Sequence, residues 1–512
     1  MPLLRKGVLL PVEGQDFSVP ATVINDRQGF PKNMRLYKGE MRKREGSALY
    51  GATIVGDSTQ IMGMGTLETN AGLKYLVRAS KAKIEKYDTA TGDWVSIANV
   101  ALTGGDDDLV NTANCTEWGY ILITNWIDSI RKWTGAGGVS AFGAGEPFAK
   151  YIAYISPYPV LAYINDGVNV SPWKVQWPDT ADPTDWTTGN SGALLCSVEP
   201  SPIKNIAVMN DFGVVYKRNS LYLLRPNEYD IFTADPVKTG IGLAASRAFA
   251  DIGGIHEFMG LNDFYQWNGS QPQSIGASIR DEVFRKLNTE KINRCFAVHV
   301  RQYKEVWFFI VTSGNEWPTE IWKHNYENNF WYYDTCDQIT AMAIWQRTTA
   351  GTWDADVGTW DEAIDRWDDS TQNAESDTLV FGDKYGYCRS FDPALANDSG
   401  TAVEGWFESK DFTGETFERY SRWEQFDVWA SGTYGARLYV DYSTDYGLNW
   451  TNIPYTSSTA YATLTESCEK YEFWFDKVAE HVRFRIRNAQ SGEIFTLRQF
   501  MPYYLSREEK RS

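Results

Sequence analysis

A chain of 512 residues with 21 Trp, 29 Tyr, 25 Phe and 42 Gly can bury several cores, and its wealth of aromatics and turn formers predicts a mainly β fold. The formal net charge of −17 lacks the basic footprint that wrapping nucleic acid requires, and no stretch approaches 18 uninterrupted apolar residues, so no membrane-spanning helix is expected. The six cysteines (115, 196, 295, 336, 388 and 468) include no C-x-x-C pair and read as free thiols of a chain made in a reducing cytoplasm.

Residues 1–50 have little periodicity and read as an N-terminal arm or entry strand. The opening "MPLLRKGVLLPVEGQDFSVP" is interrupted by Pro11, Glu13 and Asp16 and is not expected to act as a signal peptide. Arg42, Lys43 and Arg44 form a basic trio that is expected to dock the acidic face of a neighbouring subunit or tail component.

From 51 to 395, short apolar runs alternate with turn signals, as in "WGYILITN" followed by "SIRKWTGAGGVSAF". Several units share one grammar, in which a strand ends on an aromatic before a polar turn: Tyr87-Asp88, Trp133-Thr134-Gly135, Trp267-Asn268-Gly269, Tyr326-Glu327-Asn328. Repeats of roughly 40 to 60 residues, each with an apolar face too small to survive alone, predict a β-propeller of six or seven irregular blades. "SIRDEVFRKLNTEKINRC" (near 278–294) predicts one inserted helix, with Ser278 as N-cap, Asp281 and Glu282 in the first turn, and Ile279, Val283, Phe284 and Leu287 on one face. "GIGLAA" at 240–245 fits G-x-G-x-x-A but lacks the flanking strand and helix of a dinucleotide site.

The segment "TWDADVGTWDEAIDRWDD" (352–369) repeats Trp-Asp at Trp353, Trp360 and Trp367, a spacing of seven. WD-type repeats recur at about 40 residues, and an EF-hand register starting at Asp354 puts Gly358 at the fifth position instead of the sixth. A run of turns anchored by the three indoles is the better account, and the three tryptophans are the expected subunit contacts. After a linker near "DPALANDSGTAVEG", residues 396–512 alternate with period two and predict an antiparallel β-sandwich. Within it, "STDYGLNW" (Ser443 to Trp450) fits an Asp-box hairpin, which is structural. His256, His299, His324 and His481 lack ligand-spaced partners, and neither G-x-S-x-G, H-E-x-x-H nor a P-loop occurs, so no catalytic, metal or cofactor residue is assigned.

"KNMRLYKGEMRKREG", "GIHEFMGLNDFYQWNGSQPQSIGASIRDEVFRKLN" and the repeated "TWD" resemble tail hub or nozzle proteins of short-tailed bacteriophages, also called head-to-tail joining or packaged-DNA stabilisation proteins. That resemblance implies a non-enzymatic virion structural protein built as a propeller in a homo-hexameric ring below the portal and adaptor. Such a ring continues the DNA channel, retains the genome and allows its ejection. The implied partners are other tail proteins (adaptor or portal side, fibres or needle) and genomic DNA passing without sequence recognition, with no cofactor and no membrane anchor. The implied location is the virion tail, after assembly in the host bacterial cytoplasm. An acidic channel wall suits this role, because like charge lets a polyanion slide. Two other readings stand beside it. A propeller glycosidase with a carbohydrate-binding sandwich would need convergent carboxylates in a deep central pocket. A receptor-binding tail protein would need an exposed aromatic patch.

Overall fold

The computed structural model describes residues 15–22, 29–37, 39–57, 59–98, 101–143, 145–346, 377–414 and 419–506, preceded by the backbone of two short strands, Leu4–Arg5 and Val8–Leu9. Strand accounts for 52% of the described residues and helix for 4%, so the fold is mainly β.

Seven units of four antiparallel strands, called sheets one to seven, follow one another along the chain; the first five are separate four-stranded sheets, the sixth is part of an 11-stranded sheet and the seventh part of a six-stranded one. Their first strands are Gly63–Glu68, Asn111–Cys115, Phe148–Ile155, Ile203–Met209, Phe249–Asp251, Phe296–Val300 and Ile339–Gln346. In sheets one to six the chain meanders through all four strands in order. The seventh takes Asp377–Asp383 and Cys388–Asp392 next, then borrows its fourth strand, Gly46–Leu49, from the other end of the chain. The Trp-Asp segment lies in sequence between the first two strands of this sheet, and Trp353, Trp360 and Trp367 fall outside the described residues.

Each consecutive pair of sheets shares one apolar core, because alternate strand residues point to opposite faces and both faces are covered. Leu67 and Val77 meet Ile121 and Trp133 between sheets one and two, and Leu122 and Phe142 meet Ile152 and Leu161 between two and three. Val160 and Trp177 meet Ile206 and Tyr222 at the next seam, and Met209 and Leu221 then meet Phe258 and Trp267. Phe264 meets Phe308 and Trp322 between sheets five and six, where Ile279, Val283 and Leu287 of the inserted helix also pack. Phe309 meets Ile339 and Phe381 between six and seven. A further core joins the seventh sheet to the first, with Trp345 and Val380 against Leu76, Tyr87 and Trp94.

The recurring aromatic of the sequence grammar ends the third strand. Trp133, Trp177 and Trp267 are buried there, and each indole N–H donates to a carbonyl of the turn that follows: Gly137 O at 3.2 Å, Asn190 O at 3.1 Å and Ser270 O at 2.9 Å. A buried indole needs a partner for its N–H, and a turn needs donors for its carbonyls; the pairing satisfies both. The helix itself is shorter than expected, Arg280–Lys286, and its N-cap is Ile279 instead of Ser278. Ser278 offers its carbonyl to the Phe17 N–H (2.7 Å), while Gly276 O accepts from the N–H groups of Ile279 and Arg280.

The C-terminal region forms two facing sheets around a single core that includes Trp423, Phe426, Phe473, Phe484, Leu497 and Phe500. One sheet has the order Met34–Tyr37, Glu40–Lys43, Phe495–Ser506, Ser421–Gly432, Glu469–Ala479. The other runs Phe30–Lys32, Gly405–Glu408, His481–Asn488, Arg437–Ser443, Thr451–Ile453. Residues 30–49 enter the fold as strands. They supply strands to both C-terminal sheets and to the seventh sheet, and Lys32 pairs in parallel with Tyr333. That pairing makes the sixth sheet and one C-terminal sheet a single 11-stranded sheet.

Candidate functional site

The basic trio sits at this junction, and two of its members are internal. Lys43 is buried and its ammonium donates to Asn488 Oδ1 (2.7 Å), Glu493 O (2.9 Å) and Gln490 O (3.2 Å); burial pulls its pKa down to about 8. The Arg44 guanidinium is buried in a fork with Asp398, at 2.6 and 3.2 Å, and also donates to Glu45 O (2.9 Å). Their polar heads are consumed within the chain, which corrects the expectation that they dock a neighbour. A run of three cations cannot distinguish solvent from a buried junction, because the carboxylate and carbonyl partners lie hundreds of residues away. Arg42 is half-exposed on the same strand.

The Asp-box reading is met in detail. Ser443 Oγ donates to Asp445 Oδ1 (2.7 Å), which also accepts the Asn449 N–H (2.9 Å), and Gly447 takes φ +87°. The Asn449 amide and the Ser443 hydroxyl hold the Asp445 carboxyl down to about 2. The Arg485 guanidinium lies over the Trp450 ring at 3.9 Å. "GIGLAA" is a connector from sheet four to sheet five: a Cβ on Gly242 would meet Lys217 O at 2.3 Å, and no helix follows. Among the described residues no group of three His, Cys, Asp or Glu is placed to hold a metal ion.

The histidines have local partners. His256 Nε2–H donates to Val208 O (2.9 Å), which leaves Nδ1 to accept the Tyr216 hydroxyl (2.7 Å). His324 Nδ1 lies 2.9 Å from Glu257 Oε2, both buried at the seam of sheets five and six. Burial is the main cause that lowers the pKa of His256, and it does the same for His299.

A different set of polar groups gathers where the first strands of the seven sheets begin. Met62 O accepts the Val110 N–H (3.2 Å), tying sheet one to sheet two, and Asn111 Nδ2 donates to Lys150 O (3.1 Å), tying two to three. Asn205 Nδ2 donates to Ser246 O, and the Ala297 N–H to Arg247 O at 2.8 Å. Arg247 reaches from the start of sheet five to carbonyls of the first and seventh sheets, Met62 O and Thr340 O, each at 3.1 Å. Its guanidinium keeps partial solvent access yet is enclosed by protein, and desolvation pulls it down to about 10. Among the described residues no carboxylate pairs with it, and its Nε has no hydrogen-bond partner there.

On the side of this collar formed by sheets two, three and four, two aromatic residues take left-handed backbone: Trp126 at φ +74° and Tyr163 at φ +60°. A bulky side chain there costs roughly 1–2 kcal/mol. Tyr163 sits where the register slips between Ala162 and Ile164, a bulge that re-aims one side chain. The two rings meet edge to face at 5.0 Å, and the Lys150 ammonium stands 5.6 Å from the Tyr163 centroid. The Lys204 ammonium donates to Asn293 Oδ1 (2.9 Å). Burial, then the charges of Lys150 and Arg218, depress Lys204; burial depresses Lys150. Nearby, Arg294 is buried against Asp107 (2.8 Å). Sequence reading missed this set because its members come from four separate repeats and carry no motif; only the positive φ of two aromatics marks them, and φ is not visible in a sequence.

A concavity of about 350 Å³ lies between sheets four and five and is lined by Met209, Phe212, Leu223 and Arg225 among others. It brings together no titratable pair.

No known family profile matches the chain, and no curated protein sequence matches it. Among solved structures, 79% of the chain is similar to 46% of PorZ, a surface component of the type-IX secretion system of Porphyromonas gingivalis, at 10% identity and a TM-score of 0.34. The chain therefore spans under half the length of that protein. A quarter of the chain (26%) is similar to 71% of TmCBM61, solved with β-1,4-galactotriose, at 10% identity and a TM-score of 0.16. At these scores neither likeness bears on what the chain does.

Proposed function

We propose that the seven sheets close into a seven-bladed β-propeller, that the C-terminal region is a β-sandwich, and that the whole is a non-catalytic structural subunit of a ring: a tail hub or nozzle of a short-tailed bacteriophage. Seven inter-sheet cores for seven sheets support closure, since an open stack of seven would have six. The borrowed strand Gly46–Leu49 and the 11-stranded sheet weld propeller to sandwich, as suits a brick that bears the pressure of packaged DNA. Arg247 crosses one end of the propeller axis, so the DNA path of such an assembly runs between subunits and not through a single propeller.

The observation that carries the ring is an exposed apolar rim on sheet three. Trp173, Leu195 and Val198 are 37%, 64% and 77% exposed. The Trp173 indole N–H donates to Pro200 O (2.9 Å), which fastens the 195–200 segment beside it. Apolar side chains gathered at a sheet edge with no cover among the described residues suit a contact between copies. The test is electron microscopy and native mass spectrometry of the full chain. Closed rings are expected, and L195D with V198D should leave monomers with unchanged far-UV circular dichroism. Rings of undiminished abundance in that double variant would overturn the assignment of the rim. Wild-type protein that stays monomeric at high concentration would overturn the ring itself.

A further inference from the structure

We propose that the outer face of the C-terminal sheet built from Phe495–Ser506, Ser421–Gly432 and Glu469–Ala479 is a binding platform for a neutral oligosaccharide. Trp474 and Trp429 stack on its sugar rings, and the polar groups between them take its hydroxyls. The proposal goes beyond the ring reading and does not depend on it.

Strand alternation decides which side chains stand on this face. Phe426, Val428 and Ala430 point into the sandwich core, as do Tyr471 and Phe473. Gln425, Asp427 and Trp429 therefore face outward, beside Lys470, Glu472 and Trp474. The register sets Trp474 opposite Gln425, Glu472 opposite Asp427, and Lys470 opposite Trp429. The two indoles thus stand on adjacent strands, offset by four residues or roughly 13 Å, with a row of polar groups between them. Trp429 is half-exposed, and Trp474 is 55% exposed, more than any other tryptophan among the described residues. An indole in mid-strand on the outer face adds nothing to the core, and its flat apolar surface is what the C–H face of a sugar ring covers.

The polar groups are held in place by one another. Asp427 is fully buried although it faces away from the core: Gln425 Nε2 donates to its Oδ1 (2.7 Å), and the Lys470 ammonium stands 2.8 Å from its Oδ2. That ammonium also donates to Glu472 Oε1 (2.7 Å) and lies 5.7 Å from the centroid of Trp429. On the other side of Trp474, Arg422 grips Asp476 with two hydrogen bonds, at 2.8 and 2.7 Å. Lys470, Glu472, Arg422 and Asp476 keep 37–60% of their side chains exposed, so fixed donors and acceptors surround the indole.

This frame also selects the occupant. The core of a protein contact is depleted of charge, which holds for the rim of sheet three and not for this face. Glu424, Asp427, Glu472 and Asp476 outnumber Lys470 and Arg422, so the face is acidic and repels phosphate backbones and acidic sugars. A neutral sugar chain offers apolar C–H faces to the indoles and hydroxyls to the planar carboxylate, amide and guanidinium groups, and it brings no charge to be repelled.

The experiment is calorimetric titration of the full chain with cellohexaose, maltohexaose and mannohexaose, and with hexagalacturonate as the acidic counterpart. Saturable binding of at least one neutral hexasaccharide is expected, and the matching disaccharide, too short to reach both indoles, should bind roughly tenfold more weakly. W474A should weaken the hexasaccharide by roughly tenfold or more and W429A by about threefold, both with wild-type far-UV circular dichroism. Y229A removes an aromatic that is 91% exposed on a hairpin turn of sheet four, and it should bind as wild type does. Absence of saturable binding by all three neutral probes overturns the proposal. So does hexagalacturonate binding as tightly as the best of them, W474A binding like wild type, or equal weakening in Y229A and W474A. A disaccharide that matches the hexasaccharide overturns the two-indole platform.

Discussion

Replacing Trp345 by Ala tests whether the seventh sheet closes on the first. Trp345 is 1% exposed, and its ring meets Tyr87 at 5.6 Å and Tyr50 at 6.3 Å, both edge to face, with Trp94 behind Tyr87. Removing a fully buried Trp costs about 3–5 kcal/mol, of which each ring contact accounts for about 0.5–1.5. With a urea dependence on the order of 3 kcal/mol/M for so large a body, the midpoint falls by about 1 M. Trp177→Ala, at the interior seam of sheets three and four, gives the reference. It loses a core of the same kind plus the hydrogen bond to Asn190 O, about 1 kcal/mol more. Trp345→Phe should cost much less than Ala, because among the described residues the indole N–H of Trp345 has no partner and its removal is favourable. Equilibrium unfolding in urea, followed by far-UV circular dichroism, reads all three. If Trp345→Ala shifts the midpoint by less than a fifth of the Trp177→Ala shift, the seam between the end sheets is not a core and the closure argument fails.

Lys323 and Asp334 form a buried ion pair, with the Lys323 ammonium also 4.0 Å above the Trp307 ring. Lys323→Met should cost about 3–5 kcal/mol by stranding a buried carboxylate, and adding Asp334→Leu should recover most of it; equal melting temperatures for the single and double variants would contradict this. Burial keeps His256 neutral in the fold, against Asp251 at 4.0 Å, which partly offsets it. Its folded pKa lies below the unfolded value, so the unfolded chain takes up the proton first. Stability is accordingly lost as pH falls through about 6.5. His256→Gln should flatten that stretch of the urea-midpoint profile, and an unchanged slope would assign the loss to other groups. Trp267→Phe deletes the donor to Ser270 O and should cost about 1 kcal/mol, with faster amide exchange in the 268–271 turn; unaltered exchange would remove the clamp from the account of the repeats.

The repeats were legible because their signal is local. A strand ending in Trp before Asn-Gly or Thr-Gly announces both the third strand and its turn, and Trp133 and Trp267 do what that pattern predicts. The Asp box is equally local, every partner lying within eight residues. The inserted helix was legible on its apolar face but not at its start: Ser278 and Ile279 differ by one position, and tertiary contact with Phe17 decided which carried the cap. Lys43, Arg44 and Gly46–Leu49 were not legible at all. Their partners, Asn488, Asp398 and Cys388–Asp392, lie more than 300 residues on, and nothing in a short basic run specifies them. The Lys150–Lys204 set failed for the same reason.

The early strands of this chain must wait. Residues 30–49 are made before most of their partners: apart from the hairpin of Met34–Tyr37 with Glu40–Lys43, what they pair with lies between residues 330 and 506. A fragment cut at residue 395 would have six sheets with all four strands, a seventh completed by Gly46–Leu49, and two strands each open on one edge: Phe30–Lys32, which keeps Tyr333 but loses Gly405–Glu408, and Glu40–Lys43, which keeps Met34–Tyr37 but loses Phe495–Ser506. The complementary fragment would lack a strand at the border of each of its sheets. Genetic dissection of this protein therefore has to move the leading fifty residues along with its tail, or rejoin the two by circular permutation.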